Sequence, residues 1–92
     1  MPENITIFIG KKPVMNYVLA CLTTIQSGTD VLIIKARGNA ISKAVNVAQI
    51  TLNRFVSDLS VKNITIGTEQ IQTDDSPTPI DVSSIEIQLG KT

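Results

Sequence analysis

The sequence contains no histidine and a single cysteine, Cys21. Without histidine the commonest general base and the commonest transition-metal ligand are gone, so hydrolytic triads and His-based zinc sites cannot be assembled. One cysteine excludes an internal disulfide. Tryptophan is also missing, and two phenylalanines and one tyrosine are the whole aromatic content, so any core must be aliphatic. There is no secretory signal and no apolar run long enough to span a bilayer, which makes a soluble, intracellular protein the expectation. Neither sign of charge is in excess, because eight bases meet eight acids. That balance argues against a nucleic-acid binder, since such domains are usually basic overall.

The balance hides a split. From Met1 to Lys62 the bases Lys11, Lys12, Lys35, Arg37, Lys43, Arg54 and Lys62 face Glu3, Asp30 and Asp58, leaving +4. From Asn63 onward Lys91 faces Glu69, Asp74, Asp75, Asp81 and Glu86, leaving −4. Such asymmetry hints at a charged partner. At 92 residues and 42% hydrophobic content, the chain is expected to form one globular domain over residues 1–92.

Ile5, Ile7 and Ile9 alternate with Thr6 and Phe8, the period of a strand with one buried face. After Pro13, the apolar positions Val14, Val18, Cys21, Leu22 and Ile25 form a helical stripe that Gly28 can stop. "VLIIKA" is a short β-branched run suited to a central strand. Asn39 stands where a helix N-cap belongs, ahead of Ile41, Val45, Ala48, Leu52 and Phe55 at helical spacing. Two further strands are expected from Val61 to Gln72 and from Val82 to Leu89, joined by the polar, proline-bearing turn "TDDSPTPID". The order βαβαββ predicts an α+β fold: a two-layer sandwich with a mixed four-stranded sheet and, by the right-handed crossover rule, both helices on one face.

If the first two strands run parallel, Gly10-Lys11-Lys12 and Lys35-Ala36-Arg37-Gly38 leave the sheet at one edge, side by side. Each loop then feeds a helix N-terminus, where a cation is unfavourable by roughly 0.3–1 kcal/mol unless an anion is present. Free backbone N–H groups there favour phosphate. Lys43 adds to the same field, and Asn16, Tyr17, Asn39 and Ser42 offer neutral hydrogen bonds. Charges on two loops suit a backbone of successive phosphates better than a single one.

Other chemistries lack their signatures. Neither "GKKPVMN" nor "ARGNAIS" has the spacing of an ATPase phosphate loop, and each loop has one glycine where a dinucleotide fingerprint needs several. The acids of "TEQIQTDDSPTPID" lack the glycine and terminal glutamate of a calcium loop. No nucleophile with a base can be assembled, so no enzyme, metal or cofactor is expected. Cys21 lies on the apolar stripe and reads as a core residue. Phe55 ends the second stripe, next to Arg54 and Val56, where it can close the core or sit exposed as a contact residue; spacing alone favours the core.

The stretches "IGKKPVMNYV", "VLIIKARGNAISKAVNVA" and "NRFVSD" resemble, in order and spacing, the Alba family of archaeal chromatin proteins. The resemblance implies the βαβαββ sandwich and a homodimer, or a heterodimer with a paralogue, that binds double-stranded DNA and RNA with little sequence preference, coating or bridging duplexes on the chromosome. It implies phosphate contacts from the loops bearing Lys11, Lys12 and Arg37, acetylation at Lys11, and a dimer–dimer contact at Phe55. An RNA-processing ribonucleoprotein component is the alternative role. Two positions depart from the family: Asn39 stands where a base is common, and the hairpin between the last strands carries Asp74, Asp75 and Asp81 where the family's groove-following arm is often basic.

Overall fold

The computed structural model describes residues 4–75 and 77–91. Glu3, counted in the basic half, and Ser76, in the expected hairpin turn, lie outside them. The elements are β1 (Asn4–Phe8), α1 (Val14–Gln26), β2 (Val31–Arg37), a 3-10 turn (Gly38–Ala40), α2 (Ile41–Ile50), a π turn (Thr51–Phe55), β3 (Leu59–Ile71) and β4 (Ile80–Lys91). The sheet order is β1-β2-β4-β3, with β1 and β2 parallel and the other neighbours antiparallel. This is the α+β two-layer sandwich expected from the sequence.

Side-chain alternation gives the sheet two unlike faces. Toward the helices point Ile7, Ile34 and Ile87, then Ile9, Ala36 and Ile85, in cross-strand rows. Val18 and Cys21 of α1 and Ala44, Val47 and Ala48 of α2 close over them, all nearly or fully buried. Burying each large side chain of this kind contributes about 1.5–3 kcal/mol. Burial also pushes the Cys21 thiol from about 9.0 up to about 11. The Thr51 hydroxyl pulls the other way only weakly, and its buried Oγ1 has no partner in hydrogen-bonding geometry among the described residues.

Beyond its buried first residue, Leu59, β3 is largely left open by the helices. Val61, Ile64 and Ile66 point to the helix side of the sheet and remain 40%, 54% and 78% exposed. Phe55, at the end of the π turn, is 52% exposed. The core position that spacing alone suggested for Phe55 is therefore wrong: the π turn winds by one residue more than an α turn and carries it off the apolar stripe.

Asn39 is not a helix cap either. Gly38 takes φ +58, which glycine adopts without strain, and turns the chain from strand to helix within one residue. The helical winding thus starts earlier, Asn39 falls inside the 3-10 turn, and no side chain caps it. β3 starts two residues before its expected limit and stops one short of it, and β4 outruns its limits by two residues at each end, because each strand supplies the other's backbone partners, from Leu59–Lys91 to Ile71–Ile80. The result is a long hairpin on a molecule measuring 46 × 26 × 19 Å.

Candidate nucleic-acid interface

Parallel pairing continues one residue past β1, with the Ile9 N–H donating to the Lys35 carbonyl at 2.9 Å. Gly10 therefore leaves the sheet beside Ala36 and Arg37, and the two basic segments share one edge as the topology required. Neither helix carries an acid in its first turn, so the positive ends of both dipoles are left for an outside anion.

Two side chains from different helices clamp the Gly10–Lys12 loop. The Tyr17 hydroxyl accepts hydrogen bonds from the N–H groups of Gly10 (2.9 Å) and Lys12 (3.2 Å). The Lys43 amine donates to the carbonyls of the same two residues, at 2.8 Å each. It also lies 6.0 Å from the centroid of the Tyr17 ring. A side chain at position 10 would crowd this clamp, since a Cβ there would stand 3.3 Å from the Tyr17 oxygen. With its backbone held, the loop turns Lys11 and Lys12 outward. Both are exposed, and neither amine has an ion-pair or hydrogen-bond partner among the described residues.

The remaining expected site residues divide. Asn16 and Asn39 are exposed at the starts of the two helical segments, close to the loops they follow. Arg37, the last residue of β2, forms a loose pair with Glu69 at 3.9 Å, both side chains more than half exposed. An ion pair so open to water is worth at most about 1 kcal/mol and yields to a phosphate. Tyr17 and Lys43 face inward as braces of the loop. Lys35 departs from its expected place: strand alternation turns it onto the uncovered sheet face, where its amine lies 5.9 Å from the centroid of the Phe8 ring. The rim bears Lys11, Lys12 and Arg37, with Lys43 beneath.

Phe8 itself was missed as a surface group. Its alternation with Ile7 and Ile9 already placed it opposite the buried isoleucines, and it is 70% exposed. The hairpin also bears on the rim. Gly67 and Ser84 lie level with Arg37, so residues 68–71 and 80–83 run on past that edge as an arm. At about 3.3 Å per residue the arm carries its acidic turn roughly 15–20 Å beyond the rim.

A βαβαββ sandwich with exposed cations gathered at the shared edge of two parallel strands defines a class of small domain suited to anions. The chain belongs to the Alba family, whose model matches residues 5–68. It is 52% identical over 91 residues to the DNA/RNA-binding protein Alba of Methanothrix thermoacetophila, covering 99% of this chain and 100% of that one. To the DNA/RNA-binding protein Alba 1 of Archaeoglobus fulgidus it is 54% identical over 91 residues, covering 99% of each. Among solved structures, Alba from Thermoplasma volcanium superposes with a TM-score of 0.88 at 48% identity, over 94% of this chain and 99% of that one.

Proposed function

We propose that this protein binds double-stranded DNA and RNA as a dimer, largely without sequence preference, through phosphate contacts from one edge of its sheet, and so coats or bridges duplexes. It acts as a single binding domain over residues 1–92 and performs no chemistry. Lys11, Lys12 and Arg37 supply the charge, Asn16 and Asn39 neutral hydrogen bonds, and Lys35 a lateral cation. The observation that carries the reading is the clamped Gly10–Lys12 loop beside Arg37, which holds the free Lys11 and Lys12 amines at the start of α1, with no acid in the first turn of either helix. The relatives' names, DNA/RNA-binding protein Alba, support the same partner class.

Dimerisation draws support from the apolar stripe of Val61, Ile64 and Ile66, which one copy leaves in water. The exposed Phe55 suits contact between neighbouring dimers. Lys11, with no partner for its amine among the described residues, suits acetylation, which removes a phosphate contact. A place on the chromosome follows if duplex DNA is the partner in the cell.

The test is duplex binding of the wild type, Lys11→Ala/Lys12→Ala and Arg37→Ala across a salt series. If a dimer neutralises about 6–10 phosphates, wild-type affinity falls by roughly 10³–10⁵ between 50 and 200 mM salt. The variants should lose both affinity and slope. Unchanged binding and slope would remove the rim from the interface. Competition between duplex DNA and structured RNA at fixed salt then separates a chromosomal role from one in an RNA-processing particle.

A further inference from the structure

The sheet face that the helices leave uncovered is not featureless. Across its four strands one row reads Phe8, Lys35, Glu86, Thr65, and the next, at the rim, carries Arg37, Ser84 and Gly67. Sheet twist folds these rows into a shallow groove of about 540 Å³, within the range of small-ligand sites. One wall is an aromatic ring, 70% exposed, on a chain with two phenylalanines and one tyrosine. Phe8 precedes Lys11 by three residues, so the groove opens onto the basic rim.

We propose that this groove takes an unpaired nucleotide base, stacked on Phe8, from a strand whose phosphates lie along Lys35 and the rim. The proposal rests on the nucleic-acid reading of the rim and adds a second mode to it. Three features select an unpaired base over a duplex. Duplex bases are stacked on each other and offer no free face to an aromatic ring, whereas a splayed base does. Glu86 and Glu69 line the groove and would repel a continuous phosphate backbone, yet they accept hydrogen bonds from the amino and imino groups of a base edge. The Lys35 amine lies over the Phe8 ring, 5.9 Å from its centroid; a base stacking on that face displaces it toward the phosphate the base carries.

The experiment compares Phe8→Ala, Phe8→Leu and Phe8→Trp with the wild type on two probes, a mixed-sequence single-stranded oligonucleotide and the blunt duplex of the same sequence. Phe8 lies outside the core, so these changes leave the fold intact, which circular dichroism checks. Alanine and leucine should each weaken single-strand binding by about 5- to 150-fold, the loss of one base–aromatic stack, while duplex affinity and salt slope stay within about twofold. Tryptophan should retain single-strand binding, and its fluorescence, the only tryptophan signal in the chain, should be quenched by the single strand and not by the duplex. Equal losses on both probes, or unchanged single-strand binding by Phe8→Ala, would overturn the platform. A wild type that binds neither probe would instead sink the rim reading beneath it.

Discussion

Tyr17 and Lys43 touch the Gly10–Lys12 loop only through its backbone, and that distinguishes them from the lysines the loop displays. A hydroxyl that accepts from two N–H groups fixes direction without adding charge. Tyr17→Phe keeps the ring and every cation but leaves those two donors without their acceptor. Duplex affinity should fall about 2- to 10-fold, the range of a single net hydrogen bond, with the salt slope unchanged. Fluorescence anisotropy at three salt concentrations checks it, and a reduced slope would mean that Tyr17 does more than hold the loop. Lys11, Lys12 and Arg37 were legible as rim residues because parallel strands must end together. The fastening of Lys43 was not, since its partners lie 31 and 33 residues away. The side on which Lys35 emerges depends on strand register, which the loop-centred view of the sequence ignored.

At the scale of elements, periodicity carried most of the information. Strand β1, the first helix, the start of the second and the β-branched run of β2 fall within a residue or two of where their patterns put them, because each buries one stripe against the same core. Segments governed by backbone geometry escaped: the 3-10 turn that Gly38 opens, the π turn that exposes Phe55, and the ends of a hairpin whose strands pair chiefly with each other. A strand was expected here, but only the structure leaves the apolar stripe of β3 without a cover. Replacing Ile64 and Ile66 together by glutamate puts charges on that stripe without touching the core. If the protein dimerises through this stripe, as proposed, the wild type should be a dimer and the variant a monomer by light scattering, with secondary structure retained; a variant that stays dimeric would move the interface elsewhere.

For the molecule as a whole, the division of charge becomes a division of space. The basic rim and the acidic turn lie at the same end, separated by the arm's overhang. Asp74→Asn/Asp75→Asn/Asp81→Asn removes three negative charges from the arm, Asp81 roughly 10 Å beyond the rim and the two turn aspartates roughly 15–20 Å beyond it. At 10 mM salt the screening length is about 30 Å, and at 150 mM about 8 Å. The triple variant should therefore bind duplex DNA several-fold more tightly at 10 mM salt and like the wild type at 150 mM, as titrations at both would report. A gain that survives at 150 mM would mean that the turn itself meets phosphates.

The lone thiol between the two helices has a practical meaning. Cys21 has no measurable exposure and its proton is held to a pH near 11, so a thiol reagent can reach it only when the layers part. Its labelling is thus a clock for opening of the sandwich, running without any engineered tag. Comparing its rate with and without a bound polyanion would tell how far gripping a ligand at the edge tightens the middle of the molecule.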